Sequence, residues 1–168
     1  MGQELRQKFL EGMSRAATFV AVVTTDGEAG RFGVTISSLT SVSADGDQPS
    51  LLACLHHMSP AAGAVLKNRR FAANLLHEGQ HGVSDLFAGR TAPGDHAARF
   101  DAVRWSPGSL GQPMLEGATA SFECQVATSV LWETHYIIVG RVMGIRLSDD
   151  PAALLYGQRA YRRAVSLP

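Results

Sequence analysis

No apolar run in this chain approaches the roughly 18 residues that a membrane-spanning helix requires. The opening "MGQELRQKFLEGMSRAA" carries acidic residues that set it apart from a signal peptide. A cytoplasmic protein is expected. Charge of one sign is missing too: 15 Lys and Arg stand against 15 Asp and Glu, for a formal net charge of zero. That balance gives nucleic acid or an anionic membrane no electrostatic footprint. Cysteine is scarce, with Cys54 in "LLACL" and Cys124 in "SFECQV". No disulfide framework is implied, and both lie in strand-like apolar surroundings that suit a buried, inert thiol. Neither G-x-G-x-x-G nor G-x-x-x-x-G-K-[ST] occurs, which removes the Rossmann fingerprint and the P-loop as routes to nucleotide chemistry.

What is present suits one domain over residues 1–168, with 45% hydrophobic residues to fill a single core. Leu5, Phe9 and Met13 recur every four residues, the stripe of a short helix that ends near Ala16. Strand formers follow in "TFVAVVTT", a Gly-rich turn in "DGEAG", and a returning broken strand in "FGVTISSLTSVS". "PSLLACL" and "RFAANLL" read as strands around a helix opened by Ser59 as N-cap and Pro60 at its first position. In "ATASFECQV", Ala118, Ala120, Phe122, Cys124 and Val126 alternate with Thr119, Ser121, Glu123 and Gln125, the period of a sheet with one wet face. "HYIIVGRVMGIRL" is a long strand, apolar on both faces, while the Gly- and Pro-rich "APGDHAARFDAVRWSPGSLGQPML" reads as surface loop with a short helix. Strands outnumber helices without regular βαβ alternation. The fold class is therefore mainly β with inserted helices, a barrel rather than a doubly wound sheet.

His77-Glu78-Gly79-Gln80-His81 spells the H-E-x-x-H of zinc proteases. On a helix the two imidazoles would share one face, with the Glu placed to activate a metal-bound water. Against this, Gly79 would cost about 1 kcal/mol relative to Ala inside a helix. The strand-like "RFAANLL" also runs almost to His77, and Phe87 stands where a third histidine would. Glu116 or Asp101 could serve only as a distant ligand. The competing reading is a turn over Glu78 to Gln80 with both histidines half-exposed, and no metal.

Thr35, Ser37, Ser38, Thr40, Ser41 and Ser43 place six hydroxyls within nine residues. Hydroxyls and free backbone N–H groups at a strand break can hold a phosphate without a cationic side chain. A Ser/Thr-rich edge strand is the alternative. The helix beginning after His57-Met58-Ser59 offers its dipole to an anion, or uses Ser59 only as a cap.

In order along the chain, "GVTISSLTSVS", "PSLLACL", the Ser59 helix, "FAANLLHEGQHGVSDLFAG", "GQPMLEGATASFECQV", "THYIIVGRV" and "LLYGQRAYRR" resemble the flavin reductase family. These are the small reductase components of two-component flavin-dependent monooxygenases, including the 4-hydroxyphenylacetate and phenol hydroxylase systems. The likeness spans almost the whole chain. Its L-x-x-x-Q-x-x-x-S-x-x-F-A-G pattern is realised by Leu76, Gln80, Ser84, Phe87, Ala88 and Gly89, which turns the H-E-x-x-H match into an accident of spacing.

The resemblance implies an FMN-binding split β-barrel of Greek-key-like order, a homodimer, and flavin near the subunit interface. It implies FMN or FAD as flavin, NADH or NADPH as hydride donor, and a separate monooxygenase that receives reduced flavin. Contacts to the ribityl and phosphate region of the flavin are implied at Thr35, Ile36, Ser37 and Ser38, with Cys54, Leu55, His57 and Ser59 lining the same pocket. Phe87, Ala88 and Gly89 would approach from the other side, and Tyr156 and Arg159 near the C-terminus would stack on or pair with a nucleotide, as would Tyr161. His135 would contact the nicotinamide. Read alone, the same histidine suits a barrel-rim position. Two positions depart from the family: relatives carry Asn where His57 stands, and Gly-Asp-His where this chain has "WETHY". The rival function on the same barrel is a flavin-binding sensor or electron carrier without rapid turnover.

Overall fold

β-Branched and apolar segments become the staves of one curved sheet. A computed structural model describes residues 2–91 and 95–167. Seven antiparallel strands line up in the order β3 (Phe32–Ile36), β2 (Ala21–Thr25), β6 (Arg70–Leu75), β9 (Ala120–Trp132), β10 (His135–Leu147), β5 (Ser50–His56) and β4 (Thr40–Ser43). The two edge strands, β3 and β4, are consecutive in sequence and joined by residues 37–39. In a flat sheet they would lie roughly 29 Å apart at about 4.8 Å per strand, while three linking residues reach at most about 14 Å. The sheet must curl until its edges meet. β3 and β5 do approach one another, but no ladder joins β3 to β4 among the described residues, so the barrel is split. Ser38 clamps the gap: its hydroxyl donates to the Cys54 carbonyl at 2.9 Å and accepts from the Cys54 N–H at 3.3 Å.

Inside the barrel, Ala21, Val23, Leu55, Phe71, Ala73, Cys124, Val126 and Ile138 form one core. Helix α2 (Pro60–Asn68) adds Ala62 and Val65 to it. Gly140 on β10 belongs to the same packing, because a Cβ there would stand 2.6 Å from the Phe71 ring. A second core lies outside the wall. There Val20, Val22, Leu76 and Leu154 meet Phe87 of α3 (His81–Phe87) and Phe100 of α4 (His96–Asp101). Strand β2 is thus buried on both faces. A short hairpin, β7 (Trp105–Pro107) with β8 (Pro113–Leu115), and a C-terminal pair, β11 (Leu154–Gly157) with β12 (Ala160–Arg163), close the outer layer. β1 (Thr18–Phe19) pairs with β11.

Helix α1 (Gly2–Ser14) forms where the four-residue stripe places it, but among the described residues the stripe is left uncovered. Leu5 is 70% exposed and Phe9 63%, and no residue of the helix is buried. Among the described residues no helix is long and apolar enough to cross a membrane.

The polar face of β9 is wet at Gln125, which is exposed, but dry at the positions before it. Ser121 and Glu123 are buried beneath the loop and strand running from Gly108 to Leu115, and Thr119 is buried with its hydroxyl on the Leu75 carbonyl. That segment brings its own donors and so removes the need for water. Glu123 accepts from Ser109 Oγ at 2.8 Å, Leu110 N–H at 2.8 Å and Gln112 N–H at 2.9 Å. Asn74 Oδ1 accepts from Leu115 N–H and Ser121 Oγ, while its Nδ2 donates to the Val22 carbonyl and the Thr24 hydroxyl. The alternation identified the strand correctly and misjudged what covers it.

Glu123→Gln replaces an oxygen that receives N–H groups with an amide nitrogen that cannot accept them. The loss expected is about 1.5–3 kcal/mol of unfolding free energy, read by denaturant titration. A change within error would mean that the loop, and not the carboxylate, holds this region together.

Candidate functional site

The residues that carry the H-E-x-x-H spacing do not share a helix. His77 stands before a single 3₁₀ turn (Glu78–Gln80), with Nδ1 accepting from Gly79 N–H at 3.1 Å and Nε2 lying 3.2 Å from Asp150. Gln80 completes a capping box by accepting from His77 N–H. His81 opens α3 and turns its ring toward Tyr161, 6.0 Å between centroids. The two imidazoles face different neighbours because the chain changes direction at the 3₁₀ turn.

Beyond that turn, α3 ends in a Schellman motif. Gly89 takes φ 71°, its N–H bonds to the Leu86 carbonyl, and Arg90 N–H reaches back to the Asp85 carbonyl at 3.0 Å. The side chains follow the backbone: Arg90 Nη1 lies 3.2 Å from Asp85 Oδ1. From the other direction Tyr161 on β12 donates its hydroxyl to Asp85 at 2.6 Å and contacts Ser84 Oγ at 2.9 Å. Having one proton and giving it to the carboxylate, Tyr161 accepts from Ser84, and it also accepts from Arg90 at 3.3 Å. The Arg90 guanidinium lies over the Tyr156 ring, 5.7 Å from its centroid, and Tyr161 meets that ring edge-on.

Together these groups wall a cavity of about 160 Å³. Thr35, Ile36 and Ser37 come from β3 and the barrel gap, Ser84, Ala88 and Arg90 from α3 and its cap, and Tyr156 and Tyr161 from the C-terminal hairpin, with Val20 at the floor. Thr35 is held by donating to the Ser84 carbonyl at 2.8 Å. The bond from Tyr161, aided by Arg90, holds the Asp85 carboxyl below the usual carboxylate range. Burial and the Asp85 carboxylate push the Tyr161 phenol up, and Tyr156 and Asp85 keep Arg90 firmly cationic. A larger cleft of about 650 Å³ between α1 and Arg159 is open and bordered by exposed side chains, its polar groups Gln7, Lys8, Glu11, Arg15 and Arg159 joined only by exposed ion pairs on Glu11.

The residues singled out from sequence thus separate. Thr35, Ile36, Ser37, Ala88 and Tyr156 line the cavity. Ser38 spends its hydroxyl on Cys54, Leu55 points into the barrel core, and Phe87 is buried against Phe100 and Trp105. Gly89 shapes the turn that delivers Arg90. Cys124 is buried, with its thiol pushed up to about 12, and burial raises Cys54 as well. Arg159 sits elsewhere, 72% exposed in its side chain and 3.7 Å from Glu11 of α1. His135 lies opposite His56 across the β5–β10 ladder, and the rings of His56, His57 and His135 form an edge-to-face group with 5.0 Å between successive centroids. His57 N–H bonds to the Thr134 carbonyl, and Ser59, in the N-cap position of α2, makes no side-chain cap bond. Asp85 and Arg90 escaped the sequence reading. Their signal was the short helix before Gly89, since a left-handed glycine after α3 folds the next residue back over the last turn.

Residues 13–164 match the family described as "Flavin reductase like domain". The chain belongs to this family. It is 37% identical over 157 residues to the FMN reductase (NADH) RutF of Stutzerimonas stutzeri strain A1501, covering 94% of this chain and 87% of that protein. Among solved structures it resembles BorF, the flavin reductase component of a bacterial two-component tryptophan halogenase, with TM-score 0.84, 32% identity and coverage of 96% and 99%. It also resembles the Streptomyces globisporus C-1027 NADH:FAD oxidoreductase SgcE6 in complex with NAD and FAD fragments, with TM-score 0.84, 27% identity and coverage of 95% and 93%.

The depressed Asp85 carboxyl sets a pH signature. A group whose folded value lies below its unfolded one stabilises the fold above the ordinary carboxylate value and loses that contribution as pH falls through the folded value. The stability advantage of the native protein over Asp85→Asn should be full above about pH 4 and shrink on further acidification. Parallel denaturation at several pH values reads it, and an advantage flat with pH would remove Asp85 from the network.

Proposed function

We propose that this chain is a flavin reductase that uses NADH to reduce FMN and supplies the reduced flavin to a separate monooxygenase. The observation that carries the reading is the cavity where the barrel gap, the α3 cap and the C-terminal hairpin converge, within a chain similar over nearly its whole length to FMN reductase (NADH) RutF. The likeness to BorF and to SgcE6 with its NAD and FAD fragments supports the same chemistry and a two-component partner.

The residues fit a flavin. Tyr156 gives an aromatic ring, Val20 and Ile36 give aliphatic surface, Ser37 gives a hydroxyl, and Arg90 gives a cation. A pocket for a whole ligand of this class measures about 300–1000 Å³, so a cavity of about 160 Å³ takes one part of the molecule. The remainder would extend over the seam toward Ser38, Cys54, His57 and Ser59. Bound flavin supplies the hydride acceptor. The chain's own task is to orient two rings, exclude water and hold charge, with little acid–base chemistry demanded of it. His135 would position the nicotinamide from the imidazole group at the end of β5 and the start of β10.

A partial cavity also supports a homodimer in which a second copy completes the pocket. Uncovered apolar side chains on α1 and at the β9–β10 tip, where Trp132 is 69% exposed, are available for that contact. Sedimentation of the purified protein at a single-chain mass would remove this part of the proposal. A cytoplasmic location is proposed because NADH is found there and both thiols are free.

Stopped-flow mixing of the protein with NADH or NADPH and added FMN or FAD tests the reading. Rapid NADH oxidation dependent on FMN is expected; stoichiometric tight flavin without turnover would identify a carrier or sensor. In the same assay His135→Ala should raise KM for NADH or slow hydride transfer, with flavin affinity and melting temperature unchanged. A lowered melting temperature with normal kinetics would make His135 a structural rim residue.

A further inference from the structure

A second concavity lies at the far end of β2 from the cavity beside the seam. Val20, just before the strand, lines that cavity, and Asp26, just after it, borders an open cleft of about 600 Å³. The strand between them sets the two about 20 Å apart at the usual rise. One wall of the cleft is the corner where α2 passes into β6, the other is the loop from Leu110 to Gln112, and Gln125 of β9 is exposed between them. Its volume is that of a pocket for a whole small ligand.

Charge is segregated here, although the chain has a formal net charge of zero. The corner puts Lys67, Arg69 and Arg70 on the same cleft. Elsewhere arginines stand against carboxylates, Arg15 and Arg159 on Glu11, Arg90 on Asp85 and Arg104 on Glu116. Among the described residues Lys67 and Arg70 have no such partner and no hydrogen bond, and Arg69 spends only Nη2, on the Val126 carbonyl at 3.0 Å. Of the two acids on the rim, Asp26 is held by Arg31 at 2.8 Å, which leaves Glu28 against three cations. The strand register adds a fourth: Arg70 and Arg141 of β10 stand opposite Gln125 on its two sides, about 10 Å apart at two strand spacings. Arg69 also sits at φ 59°, in the left-handed region where a helix end that needed only a cap would be served by glycine.

The remaining lining narrows the ligand. Among the described residues no aromatic ring borders the cleft, so a nucleobase, nicotinamide or flavin ring finds no platform to stack on. The Asn68 amide is committed to Ala29, Thr25 and Gly30, and the Gln112 amide to the Asp26 backbone and the Leu110 carbonyl. What is left to a ligand is cationic donors and the Gln125 amide. We propose that this cleft binds a small non-aromatic polyanion, a molecule with two or more phosphate or carboxylate groups, at a site separate from the flavin. The planar forks of Arg69 and Arg70 match the oxygens of either group, and Lys67 adds a point charge.

Calorimetric titration of the full chain at low ionic strength, with pyrophosphate and separately with citrate, tests this. One-to-one binding of at least one of them is expected, weakened by added salt, and the tighter of the two tells phosphate from carboxylate. Arg70→Gln and Lys67→Gln, each removing an exposed charge, should each weaken that anion about tenfold or more, the scale of one hydrogen bond between charged groups. Arg6→Gln, on the exposed helix α1, should bind as the native protein does. Saturating riboflavin should leave the affinity unchanged. The site is overturned if neither anion binds, if both cleft variants bind as the native protein does, or if Arg6→Gln weakens binding as much as they do. Displacement by riboflavin overturns it as well, since the anion would then occupy the flavin cavity. A polyglutamate peptide that binds where neither small anion does would assign the face to an acidic protein segment instead. Pyrophosphate binding in a protein that takes neither riboflavin nor FMN would sink the flavin reading and leave this site standing.

Discussion

A link of three residues between two strands at opposite edges of a seven-stranded sheet governs the rest of this molecule. It cannot be satisfied by any flat arrangement, so the sheet rolls up, and the rolling creates an inside for one core and an outside for the other. It also leaves a seam that no ladder crosses, bridged by Ser38 on the backbone of Cys54. The candidate site lies beside that seam, where Thr35 and Ser37 bracket the last residue of β3.

Around the seam, function is assembled from pieces that fold for local reasons. A left-handed glycine ends α3 and sends Arg90 back over Asp85; a two-stranded hairpin places Tyr156 and Tyr161 against the same spot. Asp85 joins the two pieces by accepting from both. The charge pair is partly shielded and threaded through a phenol, which gives it fixed geometry more than net stability.

Much of this was legible in the sequence where one residue type answers one physical demand. Alternation in "ATASFECQV", Pro60 after Ser59 and the four-residue stripe of α1 each identified an element that is present. The failures came where the answer depended on distant chain. Nothing near Ser121 or Glu123 signals that residues 108–115 will fold over them, so the alternation holds for Gln125 and does not foretell the dry positions before it. The pentapeptide at His77 illustrates the reverse: a pattern meaningful only on a helix lost its meaning once the chain formed a 3₁₀ turn there. Leu55 and Phe87 lie beside residues that line the cavity or the seam, yet their side chains belong to the cores. Asp85 and Arg90 went unread because their partnership spans a helix cap and a hairpin more than 70 residues away in sequence.

The seam has a mechanical side. Along every other line of the barrel, parting two strands breaks a row of backbone hydrogen bonds together. Between β3 and β4 no ladder is broken by parting, and the seam is held by a short strap, by the bond from Ser38 to Cys54 of β5 and by the packing of Ile36 and Leu39. The cylinder is therefore stiff around most of its circumference and compliant along one line, and that line borders the cavity. Widening the cavity along that line would break no strand ladder, although Ile36 and Leu39 tie the same line to the barrel core.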